Sequence, residues 1–267
     1  MTATPHSTPH LFADWESISC RIRSRKRVAM FLDFDGTLVR LAPTPDQVRV
    51  EERTRSVLKR LARRHGITLV IISGRRRAEL QHYIALPNLT YLGLYGWEGN
   101  GRIRLPLSVR EALACTILDV AAKFPAKSGV WVEPKGGTFS VHLLGASPET
   151  RLRVRELAEK LVRARRGTLK LIANLRDLEV APALIGDKGA GVRKILRAPS
   201  VRGALPIYFG DDLSDEPGFA AARAGISVLV GKRRATQAKF CLRGPAEVTE
   251  ALSRMEELFD GQGDDAV

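Results

Sequence analysis

The chain has 267 residues, 44% of them hydrophobic, with 43 lysines and arginines against 29 acidic residues for a formal charge of +14. This length buries a full core and is long for one compact domain, so two unequal domains are expected. Cys20, Cys115 and Cys241 are widely separated and odd in number, which argues against a disulfide framework and for a reducing cytoplasm, and no apolar run approaches the roughly 20 residues of a membrane span.

The basic excess is dispersed along the chain. Arg21-Ile-Arg-Ser-Arg-Lys-Arg27 is locally dense, but neither a nucleic-acid-binding motif nor interleaved aromatic residues accompany it. A solvated basic surface that attracts an anionic small molecule is the expectation, with no nucleic-acid partner and no membrane partner. A monomer is expected, with an oligomer as the open alternative.

Residues 1–20 read as an N-terminal segment of poor order apart from a short helix, given Pro5, Ser7 and Pro9. From 28 onward apolar runs alternate with helical patterns: a strand at 28–32, a helix at 51–64, a strand at 67–72, a helix at 76–84 and a strand at 89–93. Residues 95–107 read as a hairpin-like connection. The middle changes character, with a helix at 108–124, two strands around Gly136-Gly137, a helix at 148–166, and strands at 168–174 and 177–181. That pattern is a small α+β sandwich, helices on one face of an antiparallel sheet. Asp187 and Lys188 then open a helix, strands follow at 205–209 and 226–230, and a last helix runs from 246 to 259. The expected organisation is α/β, a Rossmann-like core with a parallel sheet at 21–104 and 185–267, and an inserted cap at 105–184 with hinges near 104 and 184.

Chemistry concentrates where strands end. Phe31-Leu-Asp-Phe-Asp-Gly-Thr-Leu-Val39 places Asp33 and Asp35 directly after a buried strand, where a carboxylate is costly unless it lies in the crevice beyond the carboxyl edge of the sheet. The strand 67–72 ends in Ser73-Gly74-Arg75, and the strand 205–209 ends in Gly210-Asp-Asp-Leu-Ser-Asp-Glu216. Lys188 in a first helical turn opposes the macrodipole, a conflict that a nearby anion repairs. A carboxylate pair, a hydroxyl beside loop amides, a lysine and an acidic loop suit phosphoryl transfer through an aspartate. Two unit charges 4 Å apart repel by about 4 kcal/mol at an effective dielectric near 20, so a carboxylate attacking a phosphate needs added positive charge. Mg2+ fits, because it takes a few carboxylate oxygens and keeps waters beside a phosphate.

In order and content these four segments resemble the motifs of the haloacid dehalogenase superfamily. The resemblance implies that Asp33 is the nucleophile and that Asp35 is the acid and base whose backbone carbonyl also meets the metal. It further implies that Ser73 and Lys188 hold the phosphoryl group, that Asp211 binds the metal, and that Asp212 and Asp215 complete the acidic loop. The metal set expected on this basis is Asp33, Asp35, Asp211 and Asp212; Gly36, Thr37, Gly74 and Arg75 are expected to meet the substrate.

A narrower resemblance is to trehalose-6-phosphate phosphatases, through Gly210–Glu216, Asp187-Lys-Gly-Ala190, Val230–Ala238 with Pro245-Ala-Glu-Val248, and Val132-Glu-Pro-Lys135 followed by Ser140-Val-His142. It implies a C2-type cap in which Glu133, Lys135, His142 and Glu179 recognise sugar hydroxyls, and a closure of that cap that excludes water until the sugar leaves. Read alone, those charges alternating with Val130, Val132 and Phe139 equally describe the wet face of an antiparallel sheet. The chain departs from the family's pattern at Tyr95, at Leu144 and at Ala181, where a histidine and two arginines are usual. The implied activity is hydrolysis of trehalose 6-phosphate to trehalose and phosphate. The alternatives are another sugar-phosphate phosphatase, for example one acting on mannosyl- or glucosyl-3-phosphoglycerate, and a phosphosugar-binding regulator without turnover.

Overall fold

The apolar runs become two separate sheets. A computed structural model describes residues 8–42, 47–99 and 104–259. In chain order the elements are α1 (Trp15–Arg23), β1 (Val28–Leu32), α2 (Glu52–Leu61), β2 (Ile67–Ile72), α3 (Arg77–Ile84), β3 (Thr90–Leu92), α4 (Leu107–Lys123), β4 (Trp131–Pro134), β5 (Phe139–His142), α5 (Pro148–Ala164), β6 (Leu169–Ile172), β7 (Leu178–Pro182), α6 (Lys188–Leu196), β8 (Leu205–Gly210), α7 (Glu216–Ala221), β9 (Ile226–Val230), β10 (Phe240–Leu242) and α8 (Pro245–Glu257).

β1, β2, β3, β8, β9 and β10 form one parallel sheet in the order β10-β9-β8-β1-β2-β3. β1 lies at its centre, and every one of its five residues is buried. β1 pairs with β2 on one side and β8 on the other, and Asp33 continues the ladder by donating its amide to Phe209 O at 3.0 Å. Because all these strands run the same way, Asp33, Ser73 and Asp211 leave the sheet at one edge, beside the point where strand order reverses. Apolar side chains fill both faces: Met30, Leu32, Ile71, Ile207 and Phe209 on one, Phe31, Val70, Ile72, Tyr208 and Leu229 on the other.

The short helix expected in the N-terminal segment is present as α1. A 3-10 turn at Leu11–Asp14 and then α1 pack Leu11, Ile18 and Ile22 into the core, and His10 bonds Glu247 at 2.9 Å. Apolar spacing within α1 outweighs the prolines before it; residues 1–7, part of the same expectation, lie outside the described residues. β10 goes unread in the sequence because its three residues lie between Lys239 and Arg243 with no apolar run around them.

A second compact unit holds the described residues between Gly99 and Asp187, a few positions from the crossings expected at 104 and 184. Its antiparallel sheet has the order β4-β5-β7-β6. Phe139, Val141 and Val180 meet Val109, Leu113 and Val120 of α4 and Val154 and Ala158 of α5. Alternation then sends Trp131, Glu133, Ser140, His142, Lys170 and Glu179 to the opposite face of this sheet.

Candidate active site

Lys188 is the hinge of the charge arrangement in the parallel-sheet unit. Asp187 caps α6 by accepting from the Ala190 amide at 2.7 Å, which fixes Lys188 as the first helical residue. Its ammonium donates to Asp33 Oδ1 at 2.6 Å and to Asp215 Oδ1 at 2.7 Å, all three side chains being at least 95% buried. The two carboxylates supply the anion that a lysine at a positive helix end calls for. Burial alone would favour the neutral amine, but Asp215 and Asp33 outweigh it and hold the ammonium charged well above the ordinary lysine range.

The acids do not balance. Oxygens of Asp33, Asp211 and Asp215 converge within 4.8 Å. Burial first, and the neighbouring carboxylates after it, push Asp33 and Asp211 far above the usual carboxylate range, against the pull of Lys188. One lysine thus faces several buried acids, an arrangement that a hard divalent cation relieves. Gly36 adds a geometric sign of the same kind. It adopts a left-handed φ of 79°, and a Cβ there would collide with the Asp211 carboxylate, so the turn after Asp35 is shaped around that acid.

The converging acids are Asp33, Asp211 and Asp215, whereas the expected set is Asp33, Asp211, Asp212 and the backbone carbonyl of Asp35. Asp212 instead turns its carboxylate onto the Leu213 amide at 2.6 Å and caps the turn that follows, while Asp215 points inward. The cause is local: in Asp-Leu-Ser-Asp the first acid is ideally spaced to cap and the last, through Asp212 N to Asp215 Oδ2 at 3.0 Å, closes the box. Asp215 also binds Lys188 and Tyr208, so Asp33 and Asp211 are the side chains best placed to hold a metal.

Ser73 is buried at the end of β2 and accepts the Arg75 amide at 3.2 Å; Gly74 follows it in the turn. Thr37 is fully buried and its hydroxyl has no partner among the described residues, as suits a group awaiting a ligand. Asp35 is held by Arg75 through both carboxylate oxygens.

Glu133, Lys135, His142 and Glu179 lie in the other unit and form a network of their own. Glu179 is fully buried and accepts from Lys135 Nζ at 3.1 Å and from the hydroxyls of Thr138 and Ser140. His142 bridges Glu133 at 2.8 Å and Asp177 at 3.1 Å, with the Trp131 indole stacked on its ring at a centroid distance of 3.9 Å. Burial disfavours the imidazolium, but Asp177 and Glu133 more than offset it and raise the His142 pKa to about 9.

Sequence reasoning missed the contacts of Tyr208 and Arg234 and the backbone geometry at Leu94 and Tyr95. Tyr208 donates to Asp215 at 2.8 Å from within β8, where its ring stacks on Phe31 and meets Phe219 edge-on. Its place in an apolar strand gives no signal of a polar role. Arg234 binds the Asp212 carbonyl at 2.7 Å and the Glu216 carboxylate, bracing the acidic loop. Leu94 and Tyr95 take φ values of 45° and 61°, rare for side chains of this size, while their amides donate to the carbonyls of Arg75 and Ser73.

The trehalose-phosphatase family model matches residues 31–246. The chain is 30% identical over 272 residues to trehalose 6-phosphate phosphatase RA3 of Zea mays, covering 92% of this chain and 74% of that protein. It is 32% identical over 256 residues to the trehalose-phosphate phosphatase of Mycobacterium marinum, covering 89% of this chain and 63% of the relative. Among solved structures, the C-terminal domain of Candida albicans trehalose-6-phosphate phosphatase superposes with a TM-score of 0.81 at 20% identity, over 94% of this chain and 99% of that one. A Bacteroides thetaiotaomicron phosphatase of the haloalkanoate enzyme superfamily superposes with a TM-score of 0.58 at 17% identity, over 87% and 97%, and shares the fold. With its acids and lysine at one edge of a parallel sheet and a matching family model across most of its length, the chain belongs to the trehalose-phosphatase family.

Proposed function

We propose that this chain is a magnesium-dependent phosphatase that hydrolyses trehalose 6-phosphate to trehalose and phosphate. The buried Asp33–Lys188–Asp215 network beside Asp211 carries the reading. Asp33 attacks phosphorus and becomes an aspartyl phosphate as the sugar oxygen leaves. Asp35 gives that oxygen a proton, then takes one from the water that cleaves the acyl phosphate. Lys188, Ser73 and the amides around Gly74 hold the phosphoryl oxygens as negative charge spreads over them, and Asp215 with Tyr208 keeps Lys188 in register. Asp33 and Asp211 would hold magnesium, which would supply the positive charge that offsets repulsion between nucleophile and phosphate.

The family and the antiparallel sheet support this choice of substrate. Lys135 is paired with Glu179, His142 with Glu133 and Asp177, and Leu144 and Ala181 stand where the family usually has arginines. That face offers hydrogen bonds to hydroxyls, which suits a sugar, while Leu144 and Ala181 remove two guanidinium forks that the family usually carries. The complete acid pair favours turnover over a purely regulatory role.

Phosphate release with magnesium over a panel of trehalose 6-phosphate, glucose 6-phosphate and glucosyl-3-phosphoglycerate tests the proposal. Trehalose 6-phosphate is expected to show the highest kcat/KM, and another clear winner overturns the substrate. Magnesium should also raise the melting temperature of the wild type, by about 2.7 kcal/mol of stability at a hundred times its Kd. Asp211→Asn should abolish that rise; retention of it removes Asp211 from the metal site.

A further inference from the structure

Arg75 follows Ser73-Gly74, the place from which an arginine fork is expected to reach the substrate. Its guanidinium is committed elsewhere. Nε donates to Asp35 Oδ2 at 2.6 Å and Nη2 to Asp35 Oδ1 at 2.8 Å, so both carboxylate oxygens are engaged by one rigid plane. The guanidinium carbon lies 5.7 Å from the Phe34 ring centroid and 5.3 Å from that of Tyr83, and these two rings stack on each other at 5.9 Å. Glu79, one helical turn onward, stands 3.9 Å from Nη1. The backbone is anchored as firmly, with the amide on Ser73 Oγ and the carbonyl accepting the Leu94 amide. The Arg75 side chain is 17% exposed, against 32% for Asp35.

An arginine that reads phosphate should keep its fork open toward the anion. Here the more exposed partner is Asp35, and the arginine is clamped behind it by aromatic faces and a second carboxylate. We propose that Arg75 is a positioning residue that holds the Asp35 carboxyl group in one orientation through both half-reactions, rather than a ligand of the phosphoryl group. This rests on the phosphatase reading above. In the first half-reaction the Asp35 proton moves to the bridging oxygen as the bond from that oxygen to phosphorus breaks and the one from Asp33 forms. In the second, the attacking water loses its proton to the same carboxylate and Asp33 is released with phosphate. The same carboxyl group must therefore meet two different partners in turn, and an aspartate free to change rotamer would meet each of them only part of the time.

The leaving group separates this role from phosphate binding. A sugar alcohol departs poorly unless protonated, whereas para-nitrophenolate departs unaided. For the sugar phosphate that the wild type turns over best, Arg75→Gln should lower kcat/KM by roughly 10- to 100-fold, the scale of a misplaced catalytic group. For para-nitrophenyl phosphate the loss should stay within a few-fold, and the inhibition constant of inorganic phosphate should hardly move. In an Asp35→Asn background, Arg75→Gln should cost little more, because the group it positions is already gone. Arg75→Lys keeps the stem and the charge and covers the case in which the neutral variant does not fold. A single ammonium cannot grip both oxygens, so it should show the same preference for the aryl substrate. Equal losses on both substrates, a weakened phosphate inhibition constant, or an additive loss in the double variant would overturn the role and return Arg75 to the phosphate. Wild-type activity in every arm would mark an incidental ion pair and overturn it too. A wild type that releases phosphate from no substrate at all overturns the phosphatase reading itself, and this role with it.

Discussion

The two sheets handle charge in opposite ways. On the antiparallel sheet every acid named above has found a partner: Glu179 takes three donors, and His142 sits between Glu133 and Asp177. At the edge of the parallel sheet Asp33, Asp211 and Asp215 share one lysine, and burial holds two of them far from their ordinary protonation behaviour. A balanced network adds little drive for chemistry and much definition of shape. An unbalanced one is stable only where the rest of the fold enforces it, and it becomes favourable when a cation and a phosphate arrive together.

The sharpest way to break this contrast is Asp33→Asn. A neutral amide is a poor nucleophile, so kcat/KM should fall by at least about 10³-fold with the fold retained, as loss of a covalent nucleophile does elsewhere. Circular dichroism with a steady-state assay checks both halves, and residual activity near the wild-type level would move the nucleophile elsewhere.

Glu133→Ala tests the balanced side. If this face orients sugar hydroxyls, the change removes about 1 to 3 kcal/mol, or roughly ten- to a hundredfold in kcat/KM for trehalose 6-phosphate, and leaves para-nitrophenyl phosphate nearly untouched. Parallel loss on both substrates would assign Glu133 to the fold, and the absence of any loss would leave the face a solvated sheet surface.

The smallest effect concerns pH. His142 is raised from the ordinary histidine value to about 9, so the stability from its protonation is fully present below about pH 6.5 and is lost as pH rises through about 9. The melting temperature of the wild type should therefore fall more steeply over that window than that of His142→Gln. Parallel curves for the two proteins would show that the imidazole does not carry its charge between Glu133 and Asp177.

The parallel-sheet chemistry was legible because strand ends are local. Asp33, Ser73 and Asp211 each follow an apolar run immediately, so sequence position alone puts them at the sheet edge. The helix cap at Asp187 placed Lys188 in the same way. What escaped depends on contacts between distant segments. Tyr208 reaches Asp215 from a strand whose composition is otherwise apolar, and the exchange of roles between Asp212 and Asp215 depends on which acid the turn consumes as its cap. The pairing of Arg75 with Asp35 escaped as well, since the rings of Phe34 and Tyr83 that clamp the guanidinium come from separate elements.

The strand order also bears on how the chain reaches its native state. β1 pairs with β8, joining Val28 to Leu205, while all four strands of the antiparallel sheet come from one uninterrupted stretch between Trp131 and Pro182. During synthesis that stretch can close its own sheet as it leaves the ribosome, whereas β1 waits for a neighbour made much later. Until then the nascent β1, apolar along its whole length, has only β2 beside it and leaves one edge unpaired. Asp33, the proposed nucleophile, is therefore among the first site residues synthesised and among the last to be enclosed, so an aggregation-prone interval is expected to end only when β8 docks.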